Sequence, residues 1–107
     1  MKKVVFLIGL AIVAIGIFGY YYYLNWKEAE TAKEACIKAC MEAKAKERNL
    51  KDGPCLSNKI IENWVCDVAH NPRQHVDDLE ENQCQEYGKS AQHFVEVDPN
   101  CNFIRAV

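Results

Sequence analysis

The chain has 107 residues, half of them hydrophobic, and a formal net charge of −2 at pH 7. This length corresponds to one small domain, which excludes a multi-domain protein and a large enzyme. A slightly acidic chain presents no basic field, so we expect no nucleic-acid partner. The apolar residues are concentrated at the N-terminus and all six cysteines lie between residues 36 and 101, which argues against a soluble cytosolic domain.

The segment from Val4 to Leu24 is 21 residues long and contains no charged side chain. As a helix it would extend about 30 Å, the thickness of the hydrocarbon core of a bilayer. Because Lys2 and Lys3 precede it, the positive-inside rule predicts a cytoplasmic N-terminus and an extracytoplasmic C-terminal part. Aromatic residues typical of a membrane interface cluster at its outer end: Phe18, Tyr20, Tyr21, Tyr22, Tyr23 and Trp26. We therefore predict a transmembrane helix within an N-terminal anchor, residues 1–26, that crosses the cell membrane once.

A cleaved signal peptide is the alternative interpretation of this segment, with Ala14-Ile15-Gly16 as the cleavage site. Cleavage there would leave four tyrosines near the start of a soluble protein, so we favour the uncleaved signal anchor. Gly9 and Gly16 lie seven residues apart on one helix face. They fit either self-association or the ordinary small-residue content of membrane helices.

Residues 27–50 are rich in Ala, Glu and Lys and contain neither Gly nor Pro, which predicts a helical stalk. Since nothing interrupts the helix before it, we expect one helix from about Val4 to about Asn49, which the turn Asp52-Gly53-Pro54 ends. Small residues form a stripe along one face of the stalk: Ala29, Ala32, Cys36, Ala39, Cys40 and Ala43. This stripe fits close docking of the C-terminal part or a coiled-coil seam to another subunit, and its two cysteines favour docking.

The six cysteines predict a disulfide framework in an extracytoplasmic domain, residues 27–107. A domain of this size has a small core and needs such cross-links. Cys36 and Cys40 share one helix face, where a bridge between them would be strained, so each is expected to reach the returning chain. The expected pairs are Cys40–Cys55, Cys36–Cys66 and Cys84–Cys101.

A small metal-binding or redox protein is a less favoured interpretation of the same cysteines. A zinc site would combine Cys36 and Cys40 with two of the three histidines, His70, His75 and His93. The chain contains no C-x-x-C pair, which argues against a thioredoxin-type redox site, and no C-x-x-C-H haem motif. We expect structural disulfides, with no metal and no cofactor.

Residues 51–107 are predicted to form a small disulfide-stapled domain. An apolar patch surrounds Cys66, and the stretch from Trp64 to Val68 is typical of a strand. Residues 69–92 are polar and predict a loop, with a short helix within 76–87. Residues 93–97 and 102–107 flank the turn Asp98-Pro99-Asn100-Cys101, which predicts a C-terminal β-hairpin. The expected fold class is α+β, a long helix packed against a small antiparallel sheet.

Catalytic chemistry has one candidate cluster, formed by Asp67, His70, Arg73, His75 and Asp77. An Asp beside a His can orient the ring as a general base. No nucleophile accompanies the cluster, since Ser57 and Ser90 stand in no recognisable catalytic motif. Residues 52–107 carry a net charge of −6, most densely at 77–81, which fits a solvated acidic loop. We therefore expect no catalytic residues and no enzyme activity.

The remaining interpretations are two kinds of membrane protein. The first is a single-pass interaction or structural module whose extracytoplasmic domain binds another envelope protein or a second copy. The second is a pilin-like or filament subunit, whose general plan is an apolar helix that continues into an amphipathic one followed by a small sheet. The chain lacks the Gly and the following acidic residue of a type IV prepilin processing site, so this interpretation comes second.

Overall fold

The computed structural model describes residues 2–107; Met1, part of the predicted anchor 1–26, lies outside the described residues. One helix, α1 (Lys2–Ala45), is followed by four strands: β1 (Cys55–Ile61), β2 (Trp64–Val68), β3 (His93–Val97) and β4 (Phe103–Ala106). Two short 3-10 helices, His75–Asp78 and Glu80–Asn82, lie in the crossover between β2 and β3. A long apolar N-terminal helix, a four-stranded sheet with a C-terminal hairpin and three disulfides confirm the α+β class.

Helix α1 is continuous over 44 residues, but it ends at Ala45, before the predicted boundary. The backbone N–H of Arg48 donates to the carbonyl of Ala43 at 3.0 Å, and Glu47 adopts a φ of 57°. This is the Schellman arrangement, in which a left-handed residue satisfies the last helical carbonyls. The position usually holds Gly, so a Glu there carries no sequence signal for a helix end. The turn at Gly53 is a second, separate reversal of the chain.

The sheet has the order β1-β2-β3-β4 and is mixed, which corrects the expected antiparallel sheet. Strands β1 and β2 form an antiparallel hairpin, and so do β3 and β4, while β2 and β3 pair in parallel. A parallel pair requires a long crossover, and residues 69–92 supply it. The crossover is mostly irregular, as expected, with 3-10 turns where a short helix was anticipated. Strand β1, which the apolar patch did not define as a strand, forms one edge of the sheet.

The helix packs on one face of the sheet through its stripe of small residues. Ala32, Cys36 and Cys40 are fully buried on α1, in contact with alternate residues of the two central strands, Trp64, Cys66, Val68, Val95 and Val97. Side chains alternate along a strand, so the intervening residues face the other side. The stripe is therefore a docking surface for the chain's own sheet.

Three disulfides close the fold, and they differ in part from the expected pairs. Cys36–Cys66 is the pair that we expected, whereas Cys40–Cys55 and Cys84–Cys101 are wrong; the chain forms Cys40–Cys101 and Cys55–Cys84. Cys40 faces the sheet beside the β3–β4 turn, far along the chain from its partner. Cys55 and Cys84 belong to a separate apolar cluster on the opposite face, where the crossover covers the sheet.

The turn of the C-terminal hairpin is built as predicted. Asp98 Oδ1 accepts hydrogen bonds from the backbone N–H groups of Asn100 and Asn102, each at 2.9 Å. Cys101 adopts a φ of 68°, a conformation that normally favours Gly or Asn. The cysteine at this position links the turn to Cys40, so a replacement by Gly would relieve the backbone and lose the cross-link.

Truncation of Trp64 to Ala is expected to be the most damaging apolar deletion in the domain. Trp64 is 4 % exposed, stacks on His93 with ring centroids 4.6 Å apart, and donates its Nε1–H to Glu28 at 2.7 Å. We expect a loss of about 3–5 kcal/mol in the free energy of unfolding, measured in denaturant with the disulfides intact. The control, Trp64→Phe, retains a ring in the core and should lose clearly less. Equal losses in the two variants would assign the effect to the Glu28 hydrogen bond.

Candidate functional site

The N-terminal part of α1 is the first functional feature, because its apolar side chains are exposed over its full length. Val4 is 58 % and Leu24 is 43 % exposed, and every large hydrophobic residue between them is exposed. An 18-residue window of this helix has a mean hydropathy of 2.4 and none of it is buried. By length and composition the helix can cross a membrane. Within residues 2–107, no other part of the chain covers this surface.

The predicted polar cluster is divided by the structure into two separate environments. His70 pairs with Asp77, whose Oδ1 lies 2.9 Å from the ring Nδ1. Asp67 belongs instead to β2, on the sheet face that turns away from the helix. Arg73 bridges the two environments, and His75 is exposed.

Asp77 organises the crossover through hydrogen bonds to its own loop. It is 1 % exposed, and its Oδ2 accepts the backbone N–H groups of His70 and Gln74, both at 2.9 Å. Burial alone would raise the pKa of Asp77, but these two N–H groups and the His70 ring lower it below the ordinary value. The Asp77 backbone carbonyl also accepts from Arg73 and from Gln83. The group therefore acts as a fixed anion that holds the loop in shape.

The His70–Asp77 pair has the geometry of a general base and its orienting carboxylate, but among residues 2–107 no hydroxyl or thiol is hydrogen-bonded to it. Ser57 Oγ accepts from the backbone N–H of Lys59, and Ser90 donates to Glu86. All six cysteines are in disulfides, which also removes the thiolates of the zinc site considered above. The arrangement can hold a proton at His70 and orient the ring, and nothing among residues 2–107 places a nucleophile on it.

Gly53 meets Asp77 so closely that the loop requires a glycine there. Gly53 has a φ of +68°, and a Cβ atom would lie 2.5 Å from Asp77 Oδ1 and 3.1 Å from the carbonyl oxygen of Val68. The contact joins the 50–54 turn to the crossover. Sequence reasoning had assigned Gly53 only to a turn.

Replacement of Gly53 by Ala should destabilise the domain more than the same change at Gly88. Gly88 also has a positive φ, of +84°, but among residues 2–107 no atom lies within 4 Å of the point that a Cβ would occupy. The backbone strain of about 1–2 kcal/mol is common to both variants, and the clash at Gly53 adds about 1–3 kcal/mol. Denaturant unfolding of both variants measures the difference. Equal losses would show that the Asp77 loop moves away freely.

The second candidate site is a polar cleft on the sheet face opposite α1, where three strands bring charged residues side by side. Asp67 on β2 is paired in register with Glu96 on β3, and Glu96 with Arg105 on β4. Glu96 Oε1 accepts from Arg105 Nη2 at 3.0 Å, and Glu96 Oε2 accepts from Arg73 Nη1 at 3.3 Å. Both oxygens of this buried carboxylate are thus matched by guanidinium donors.

The cleft above this row has a volume of about 220 Å³ and an apolar wall on one side. Val65, Tyr87 and Phe94 line the wall, and the two aromatic rings meet edge to face with centroids 5.2 Å apart. The Arg105 guanidinium carbon lies 5.6 Å from the centroid of the Phe94 ring. The cleft therefore combines aromatic surface with a row of charged groups at its floor.

Among residues 2–107, Asp67 Oδ1 is the one buried side-chain polar atom at this floor without a hydrogen-bond partner. Asp67 is 8 % exposed. Burial, followed by the negative charge of Glu96, raises the pKa of Asp67 to about 8, although Arg73 opposes the shift. At neutral pH the side chain is therefore mostly a neutral carboxylic acid that faces the cleft.

Sequence reasoning named Asp67 and Arg73 but missed Glu96, Arg105 and Tyr87. The alternation within His93–Val97 held a usable signal, because Glu96 between Val95 and Val97 must face away from the apolar side. The pairing of β3 with β2 could not be inferred from this local pattern.

The chain matches no known family model, no curated protein and no solved structure.

The stability of the domain should fall as the pH rises from about 4 to 8, in part because of Asp67. In this range the unfolded chain carries an ionised Asp67, with a pKa of 3.8, and the folded chain carries a neutral one, so unfolding releases a proton. The free energy of unfolding therefore decreases with pH until the pKa near 8 is passed. The pKa of Asp77 is lowered in the folded chain, so this group makes the free energy of unfolding rise with pH, but only at pH values below its pKa in the unfolded chain.

The variant Asp67→Asn isolates this contribution because Asn has the same shape and does not titrate. The free energy of unfolding, measured at several pH values, should depend less on pH in the variant than in the unaltered chain. The difference between variant and unaltered chain should therefore favour the variant more at pH 8 than at pH 5. Glu80→Asn, at an exposed position, is the control and should follow the unaltered chain. A variant profile parallel to that of the unaltered chain would contradict the raised pKa.

Proposed function

We propose that the protein is a single-pass, membrane-anchored module whose disulfide-stabilised domain lies outside the cytoplasm and binds another envelope protein. The observation that carries this proposal is the continuity of α1. One helix provides both the exposed apolar span and the surface on which the sheet docks. Residues 1–26 are the anchor and 27–107 the extracytoplasmic domain.

The compartment is supported by the cysteines together with the charge at the N-terminus. Three disulfides account for all six cysteines, a state that persists in oxidising compartments. Lys2 and Lys3 favour a cytoplasmic N-terminus, which puts the disulfides outside. The two independent signals agree on the same orientation in the cell membrane.

A role in binding, rather than in catalysis, fits the way the domain is held close to the span. Trp64 bonds to Glu28, only two residues beyond Trp26 at the outer end of the aromatic segment. A domain fixed at this height reaches partners at the membrane surface and not distant ones. We propose no enzyme activity for this module.

A pilin-like or filament subunit is the second candidate. Two features of α1 favour this interpretation. Its apolar N-terminal half is exposed, and its C-terminal half is linked by disulfides to the domain that contains the sheet. In such an assembly, helices of neighbouring subunits would cover the exposed residues 4–24 instead of lipid. A small metal-binding or redox role has less support, because the thiols are used in disulfides.

A C-terminal tag should be removed by protease added to intact spheroplasts, while a cytoplasmic marker protein stays intact. The full-length chain, with its N-terminal peptide present by mass spectrometry, should remain in the membrane fraction after carbonate washing. A protected tag, or a soluble product that begins near Ile17, would overturn the proposal. Recovery of the chain in sheared extracellular filaments would favour the filament subunit instead.

A further inference from the structure

We propose that the cleft behind the sheet is a binding site for a small organic cation, a primary ammonium group carried on an aromatic body, with Asp67 as its counter-ion. This inference is independent of the membrane topology and of the envelope partner. It assigns a ligand class to a cleft that the proposed interaction role does not require.

The first support is the unmatched Asp67 side chain at the floor of the cleft. A carboxyl oxygen buried without a partner is unfavourable, and such groups are rare in folded proteins. Asp67 is more than nine-tenths buried, its Oδ1 has no partner among residues 2–107, and the residue lines the cleft. A ligand with N–H donors would provide the missing hydrogen bond.

The second support is the charge of the groups that face Asp67. Glu96 on β3 is matched by Arg105 on β4 and by Arg73 from the crossover, and Arg73 also donates to Asp78 at 2.7 Å. The positive charges are therefore largely neutralised by carboxylates, while Asp77 adds another negative charge nearby. Once Asp67 is ionised, four carboxylates, Asp67, Glu96, Asp77 and Asp78, surround the two guanidinium groups, and an ammonium group would reduce this excess of negative charge.

The electrostatic field of the surrounding domain is also negative. Residues 52–107 carry a net charge of −6. A negative domain attracts cations and disfavours anions in its clefts. A carboxylate ligand would have to compete with Glu96 for Arg105 and with Glu96 and Asp78 for Arg73, the two guanidinium groups that line the cleft.

The size and wall of the cleft define the body of the ligand. A volume of about 220 Å³ is smaller than that of sites for drug-sized molecules, so the ligand is a single ring with a short chain. The rings of Tyr87 and Phe94 offer aromatic surface for stacking, and Val65 extends it. An ammonium two or three bonds from the ring would reach the floor of the cleft.

The coupling between Asp67 ionisation and binding predicts a distinctive pH profile. An alkylammonium stays protonated below about pH 10, so only Asp67 changes its charge near neutrality. The cation binds the ionised form, and its affinity should rise roughly tenfold per pH unit from about pH 6 until it levels near the Asp67 pKa. A neutral or anionic ligand would not show this rise.

The test uses the full oxidised chain in detergent micelles and 2-phenylethylamine as the probe, followed by NMR titration of the cleft amides at several pH values. The matched probes are 2-phenylethanol, which is neutral, and 3-phenylpropionate, which is anionic. We expect saturable binding of the amine, strengthening from about pH 6 to pH 8, and binding at least about tenfold weaker for the other two probes. The Asp67→Asn variant should lose the amine binding and its pH profile, whereas Glu80→Gln should retain both.

The amide spectrum of Asp67→Asn also reports whether the variant folds, because Asn preserves the shape of the side chain. A folded variant that binds the amine as well as the unaltered chain would overturn the assignment of Asp67. Equal or tighter binding of 3-phenylpropionate would overturn the ligand class. A lack of saturable amine binding up to about 10 mM would overturn the site itself.

Discussion

The two disulfides that join α1 to the sheet determine how the rest of the molecule is built. The docking face of the helix consists mainly of Ala and Cys, which allow a close approach but bury little apolar area. Cys36–Cys66 and Cys40–Cys101 bridge sequence separations of 30 and 61 residues, and each contributes about 4 kcal/mol in the chain-entropy model. A small core can therefore hold a sheet on a single helix because covalent links replace the missing hydrophobic contact.

This constraint also explains why the two faces of the sheet differ. One face is buried against the helix and cross-linked to it through Cys66 and the turn residue Cys101. The other face needs only a thin cover from the crossover, fixed by Cys55–Cys84 and by the buried Asp77. Because the helix disulfides stabilise the first face, the second face tolerates a charged row that includes an unmatched carboxyl, Asp67. The disulfides that hold the sheet on the helix and the candidate binding cleft thus lie on opposite faces of one sheet.

Local sequence patterns predicted the helix and strands, but they did not predict which distant segments of the chain pair with one another. The hairpin around Asp98-Pro99 and the strand at 64–68 have turn chemistry or β-branched content that acts over a few residues. The apolar span was predicted equally well, because a long segment without charged residues can be identified from the local sequence. By contrast, the end of α1 depends on a Glu in a left-handed conformation, which no propensity favours.

The disulfides show the same limit. Helix geometry correctly excludes a bridge between Cys36 and Cys40, but it does not choose among distant partners, so it did not determine that Cys36 pairs with Cys66. Cys40–Cys101 depends on where the β3–β4 turn lies relative to the helix, and Cys55–Cys84 on which face the crossover covers. The cleft depends on the parallel register of Asp67 with Glu96, which links residues 29 positions apart. Each of these features requires the three-dimensional arrangement of the strands.

The unbroken course of α1 from the apolar span into the sheet-bearing half makes the domain turn with the helix. In the proposed membrane-anchored state there is no hinge between them, so a rotation or tilt of the span within the lipid moves the cleft by the same angle. The direction in which the cleft faces around the membrane normal is then set by the helical phase between residue 24 and residue 36. One residue inserted in that interval would raise the domain by about 1.5 Å and swing the cleft through about 100°.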